Sequence, residues 1–480
     1  MMISISNKRT IKTEYKMKLK RLFFAFTFLL GINTISKAQT IQPFHAGDRV
    51  AFLGNSITDG GHYHSYIWLY YMLHFPNARI TCFNVGIGGD NIKQMSDRFE
   101  YEVLTKKPTV MTLTWGMNDT GYFEWYKPDA LAIGQRAVDT AEARYAVMDR
   151  KLKAHPEVRK IFILGSPYDE TTKSNKNRLY PHKSEAFEKL INFQAETAKK
   201  NGWGIVDFDH PMLAINKHGQ ETDSLFSLTP NDRIHPDNDG HMVMAYLFLK
   251  TQGLENLPVA DFSVNAKSKK VTKSVNCTIS NVVGSDDNLS FSYLANSLPY
   301  PLDTTSRGWG NHMKQADVLK YIPFNKEFNQ EMLTVKGLKE GNYKLMMDGQ
   351  EVGKWTSHDL SEGINLAEQP YTPEYQQAIA IREMNEERWD IERRLRMYGY
   401  LQFDLLKDKG LLYADNKAAM DTINKYSKIN IFINANRDNY TRAQFKSVRD
   451  AWQKEQDALV NEIYAVNKPL AHKITLQLIN

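Results

Sequence analysis

A serine hydroxyl is inert at neutral pH until a base takes its proton, so the residues to look for first are a presented serine and an imidazole with a carboxylate beside it. The stretch Gly54-Asn55-Ser56-Ile57-Thr58-Asp59-Gly60 supplies the serine, in a glycine-flanked turn directly after the apolar run 50–53. Far downstream, Asp232-Arg233-Ile234-His235-Pro236 puts a carboxylate three residues before an imidazole, with a proline to hold the loop. At that spacing the carboxylate can fix the imidazole tautomer and stabilise the imidazolium formed when the serine loses its proton. Two more blocks, Asn84-Val85-Gly86-Ile87-Gly88-Gly89-Asp90 and Gly116-Met117-Asn118-Asp119, each close an apolar run. Taken singly, Gly89 reads as a turn residue and Asn118 as a helix cap. In this constellation a glycine N–H and an asparagine amide are donors for the oxyanion of acyl transfer.

The elements that must position these residues follow from the pattern of apolar runs. Residues 49–53, 80–85, 110–115, 161–165 and 204–208 read as strands, and 63–74, 94–106, 129–154, 184–201 and 241–250 as helices between and after them. Near-continuous apolar strands alternating with helices argue for a parallel sheet covered on both faces, with its site at the carboxyl ends of the strands. Ser56, Gly89 and Asn118 all follow strand ends, so three residues distant in sequence are expected on one rim.

The four blocks, in this order, resemble the SGNH (GDSL-like) hydrolase family over roughly residues 46–255. The resemblance implies a three-layer α/β/α fold and a serine esterase, similar to exported carbohydrate acetylesterases. It makes Ser56 the nucleophile, Asp232 and His235 its partners, and the Ser56 N–H, Gly89 N–H and Asn118 amide the oxyanion donors. The first block departs from the family's common wording in having Asn55 where an Asp often stands, at a position that is not catalytic. The expected substrate is a small-molecule or polysaccharide ester, most readily an acetyl ester of a carbohydrate. A lipase or other acyl hydrolase of the same family, or a non-catalytic carbohydrate-binding protein on a hydrolase scaffold, are the alternatives. Tyr122 and Trp125, beside the third block, are candidates for stacking on a sugar ring.

The chain is 480 residues long, enough for two or three domains. Residues 1–38 read as a signal peptide: Lys16, Lys18, Lys20 and Arg21 precede the apolar run 22–32, and Ser36-Lys37-Ala38 offers small residues for cleavage. Export to the periplasm or the outside is therefore expected, without membrane attachment after cleavage. The formal charge of +6 resides in that segment; the rest of the chain carries 53 basic and 54 acidic residues, which gives nucleic acid no support.

With the hydrolase region at 39–257, residues 258–368 read as a small β-rich domain, with Asp348-Gly349 as a hairpin turn. Within it, 297–309 has Pro, Gly and aromatics without a period and reads as an ordered loop that can reach the rim. Residues 369–480 read as a helical region. One helix is expected from the cap Thr372-Pro373-Glu374, and a second from the capping-box pattern at 441–444 to about residue 466. This tail is expected to stabilise the assembly and to contribute nothing to the chemistry. The two cysteines, Cys82 and Cys277, are expected as buried thiols. No cofactor and no metal are expected. Asp237-Asn238-Asp239-Gly240 lacks the closing acid of a calcium loop, and His62, His64, His235 and His241 have no zinc spacing.

Overall fold

The computed structural model describes residues 41–176, 178–308 and 312–479. The expected signal peptide and Trp309 lie outside the described residues. At the centre stands a five-stranded parallel sheet: β1 (Arg49–Gly54), β2 (Thr81–Gly86), β3 (Val110–Leu113), β4 (Arg159–Leu164) and β5 (Gly204–Asp207), in the order β2-β1-β3-β4-β5. Helices α1 (Ser56–Asp59), α2 (Tyr63–His74), α3 (Ile92–Asp97), α4 (Ala130–Lys153), α5 (Lys183–Asn201), α6 (Asp209–Gln220) and α7 (Asn238–Thr251) connect and cover it. The strands are buried because both faces are covered. Phe52, Ile161 and Val206 belong to one core, and Leu53, Leu113 and Phe162 to the other. This is the three-layer α/β/α arrangement expected of the SGNH fold.

Helix α4 shows how the outer layer forms. Val138, Ala141, Tyr145, Met148 and Leu152 recur at three- and four-residue spacing and face the sheet, while the remaining face is mostly wet. Helix α2 is different, since all twelve of its residues are buried. A helix apolar all round must be covered on both sides. Its second cover comes from more than 300 residues downstream: Trp389 stacks on His62 at 3.8 Å, and the Arg388 guanidinium lies 4.6 Å from the Trp68 ring.

Beyond α7, two sheets pack around one core. The first contains β6 (Ala260–Asn265), β7 (Lys270–Val275), β10 (Glu331–Lys336) and β13 (Ile364–Asn365), in the order β13-β10-β6-β7. The second contains β8 (Cys277–Gly284), β9 (Asn288–Ala295), β11 (Asn342–Met347), β12 (Gln350–Thr356) and β14 (His472–Ile479), in the order β12-β11-β14-β9-β8. Short helices α8 (Phe324–Phe328) and α9 (Ser357–Glu362) lie in the connections. Asp348 and Gly349 make the β11–β12 hairpin with φ of +50° and +85°, as such a turn requires. Both cysteines are free, Cys82 buried and Cys277 partly so.

The C-terminal region corrects the expectation of a helical region with two helices. It contains α10 (Pro373–Leu401), α11 (Lys417–Tyr426), α12 (Ile431–Ala443) and α13 (Lys446–Val466), and then strand β14. The Thr372 hydroxyl accepts from the Tyr375 N–H at the start of α10. The pattern at 441–444 starts nothing: Thr441 sits in the last turn of α12, with its hydroxyl donating to the Asp438 carbonyl. Helix α12 is started instead by Asn430, whose side chain accepts from Phe432 and Ile433. Strand β14 occupies the middle of its sheet, between β11 and β9, with Ile474 and Leu476 fully buried. Its alternation of Ile474, Leu476 and Leu478 is a strand pattern that a helical reading of the tail overlooks.

Candidate active site

Strand β1 ends at Gly54, and the buried Asn55 caps α1 by accepting from the Ile57 N–H at 3.0 Å. Asn55 thus has a local structural task that an Asp could also perform. Ser56 is the first residue of that helix, so its N–H has no partner within it. The turn is tight: a Cβ on Gly86, at the end of β2, would stand 2.3 Å from the Asp59 nitrogen.

The structure brings Ser56, His235 and Asp232 into one line of hydrogen bonds. The Ser56 hydroxyl lies 2.7 Å from His235 Nε2, and His235 Nδ1 is bonded to Asp232 Oδ2. Asp232 Oδ1 accepts from the Ile234 and His235 N–H groups at 2.9 and 2.8 Å. Burial pushes the Asp232 carboxyl up, but the hydrogen bond and charge of His235 and these N–H donors outweigh it and hold it below the usual carboxylate range. With Nδ1–H committed to a carboxylate, Nε2 is left as the acceptor for the serine proton.

The loop is locked by the residue between the two partners. Arg233 has φ +67°, and its buried guanidinium donates to the carbonyls of Asp169, Thr172 and Ser174 at 3.1, 2.9 and 2.6 Å. Asp237 then caps α7 and also accepts from the His312 N–H at 3.0 Å. The Asn238 amide reaches the carbonyls of Arg307 and Met313. Arg307, His312 and Met313 thus meet the start of α7, just after His235 in sequence.

The oxyanion side is held by longer connections. Gly89 has φ +84°, and its N–H has no partner among the described residues. The preceding Gly88 N–H donates to Asp59 Oδ2 at 3.1 Å, and a Cβ on Gly88 would lie 3.9 Å from that of Ser56. Asn118 Nδ2 donates to the Asp90 carbonyl at 2.8 Å, which leaves one hydrogen unused. Asp119 accepts from the Ile92 and Gly116 N–H groups, both at 3.0 Å, and so ties the two loops together. Burial raises both Asp90 and Asp119 to about 6, against the pull of Arg98 on the first and of these N–H groups on the second.

The two aromatic candidates part company. The Tyr122 hydroxyl donates to Asn118 Oδ1 at 2.5 Å, which fixes the amide with its NH2 toward Asp90. Trp125 is a correction: it is buried, donates to the Thr120 carbonyl and packs its ring on Gly134, so it belongs to the core and not to the rim. Exposed Phe123 gathers instead with Tyr126 and Tyr180, next to Tyr122.

Sequence reasoning missed two positioning cations. Lys183 is fully buried, and its ammonium donates to the Met117 carbonyl, the Thr120 hydroxyl and the Gly121 carbonyl at 2.6–2.7 Å. It also stands 4.2 Å from the Tyr122 ring, and burial lowers it to about 7. Nothing in His182-Lys183-Ser184 announces this, because the acceptors, two carbonyls and a hydroxyl, lie more than 60 residues away. The second is Arg393 of α10, which donates to Asp59 Oδ1 at 2.6 Å and to the Asp59 carbonyl at 2.9 Å. Asp59 in turn holds the Gly88 N–H. Glu392 accepts from the Asn84 N–H at 2.8 Å, and Tyr400 approaches to 4.0 Å of a Cβ on Gly88. Through these contacts the tail is part of the scaffold that shapes the rim. The signal available was α2, whose sequence has no polar face to leave uncovered.

Over residues 52–243 the chain matches the GDSL-like lipase/acylhydrolase family, and over 379–468 the diltiazem deacetylase C-terminal helical domain. A solved structure of a gut microbial diltiazem-metabolizing enzyme is 47% identical, with a TM-score of 0.89, covering 92% of this chain and 100% of that one. The chain belongs to the GDSL-like lipase/acylhydrolase family. An acetylxylan esterase from Geobacillus stearothermophilus is 23% identical over 229 residues, covering 44% of this chain and 96% of that protein. This member of the family is a carboxylic ester hydrolase, and the likeness to the diltiazem-metabolizing enzyme, over 92% of the chain, takes in its β-rich and helical extensions.

Proposed function

We propose that the protein is an exported serine esterase that removes acetyl groups from carbohydrate. The observation that carries the chemistry is the unbroken line Ser56, His235, Asp232, with its 2.7 Å contact between hydroxyl and imidazole. As Ser56 Oγ attacks the ester carbonyl carbon, its proton passes to His235 Nε2, and Asp232 stabilises the imidazolium. The carbonyl oxygen becomes an oxyanion facing the Ser56 and Gly89 N–H groups and the free hydrogen of Asn118, each donor worth about 3 kcal/mol. The intermediate collapses, the C–O bond breaks, and the alcohol leaves with the proton from His235. Water repeats the sequence on the acyl enzyme and releases acetate.

A carbohydrate substrate is supported by the acetylxylan esterase relative, and by the edge of Phe123, Tyr126 and Tyr180, where a sugar ring can stack. Export is supported by the basic, apolar and small-residue order of the leader. A second reading takes a drug ester such as diltiazem as substrate, favoured by the 47% identical relative. Acetate release from acetylated xylo-oligosaccharides and from diltiazem, each with wild type and Ser56→Ala, tests both. Release from the oligosaccharide that depends on Ser56 is expected. Turnover of diltiazem alone would replace the carbohydrate reading, and equal rates with Ser56→Ala would end the mechanism.

A further inference from the structure

Three strands along the rim from β1, the edge strand β5 runs into α6 through Asp207, Phe208 and Asp209. Here His210 Nδ1 is held 2.7 Å from Asp207 Oδ2, while its Nε2 lies 3.4 Å from Glu188 Oε1 on the neighbouring helix α5. One ligand atom from each of Glu188, Asp209 and His210 lies within 4.8 Å of the others. Glu188 and Asp209 line a cleft of about 240 Å³ together with Pro167, Tyr168, Phe187 and Leu213.

An ion-pair cluster on the surface accounts for His210, Asp207 and Glu188, whose side chains are partly exposed and mutually bonded. It does not account for Asp209. That residue is 2% exposed, and its carboxylate has neither a hydrogen bond nor an ion pair with any described residue. A carboxylate buried without a donor keeps its charge only at a cost of several kcal/mol unless it is paired or coordinates a metal ion. The imidazole is also prepared for one. A carboxylate on Nδ1 fixes the tautomer that leaves the Nε2 lone pair for a metal.

From these observations we propose that Glu188, Asp209 and His210 bind a divalent first-row transition cation, with Asp207 orienting the imidazole. One nitrogen and two carboxylates suit Mn²⁺ or Zn²⁺, whereas Ca²⁺ asks for six to eight oxygens. The site is separate from Ser56. By joining α5 to α6 it braces the helix whose first residue, Lys183, grips the Asn118 loop.

The test is calorimetric titration of the chelator-stripped full chain with Mn²⁺, Zn²⁺ and Ca²⁺, paired with thermal melts. One site per chain for Mn²⁺ or Zn²⁺ is expected, with a melting temperature that rises with cation concentration. Asp209→Asn should abolish both effects, and Asp207→Asn should weaken binding about tenfold or more through the imidazole. Without cation, Asp209→Asn should melt at or above wild type, because a buried unpaired charge has been removed. Three results would overturn the proposal. The first is no binding of either metal tighter than about 1 mM. The second is binding that Asp209→Asn leaves intact. The third is a variant that melts well below wild type without cation, which would make Asp209 a structural residue.

Discussion

The two sides of the reaction centre are held in different ways. On the serine and histidine side, each functional group is set mainly by neighbours within three residues. Asn55 caps the helix that begins at Ser56, and Asp232 bonds both the ring and the backbone of His235. On the oxyanion side the supports are remote. Tyr122, four residues from Asn118, is the near exception; the Asn118 loop is gripped by Lys183, and Gly88 is held by Asp59, which is itself clamped by Arg393 of α10. The carboxyls differ accordingly. Asp232 is held down by an imidazole, whereas Asp90 and Asp119 are held up by burial. In the proposed mechanism the local side supplies the groups that exchange protons. The remote side supplies fixed donors, whose value depends on their not moving during the reaction.

The largest effects should follow from breaking the local side. His235→Ala should lower kcat on a simple acetyl ester by about a millionfold, as loss of one member of such a unit does. Circular dichroism should remain that of the wild type, and substantial residual turnover would show that another group is the base. On the remote side, Asn118→Ala should cost about a hundredfold to a thousandfold in kcat with little change in KM. A change confined to KM would make Asn118 a substrate-binding residue.

Tyr122→Phe sharpens the comparison, because it removes only the hydroxyl that orients the Asn118 amide. The expected loss is about tenfold in kcat at unchanged KM, the worth of roughly one hydrogen bond. In an Asn118→Ala background the same change should cost almost nothing, whereas equal losses in both backgrounds would mean that Tyr122 acts independently of Asn118. The smallest effect is one of stability. Asp119 is raised in the fold from its ordinary 3.8 to about 6, so its contribution is complete below about pH 4 and is lost as pH rises through 6. Asp119→Asn should therefore show a smaller fall in melting temperature between pH 4.5 and 7 than the wild type. An identical slope in the two proteins would mean that Asp119 ionises as it does in water.

The reach of the tail belongs to the same contrast. Truncation near residue 366 removes Arg393, uncovers α2 and takes β14 out of the middle of its sheet. A small-ester assay on such a fragment therefore cannot separate chemistry from folding.

By itself the sequence determined the parallel sheet, the succession of strands and helices along the chain, and the five residues proposed for the reaction. Each of these is written in short-range patterns: apolar runs, a turn after a strand, a carboxylate three residues before an imidazole. Only the tertiary structure decided that Trp125 is core, that Tyr122 serves Asn118, and that Lys183 and Arg393 steady the oxyanion side. It alone placed β14 between β9 and β11. The reason is physical. An ammonium satisfied by two carbonyls and a hydroxyl more than 60 residues away leaves no local signal, and the alternation at 474–478 marks a strand without naming its partners some 130 and 180 residues away, since partners are chosen by packing and not by spacing.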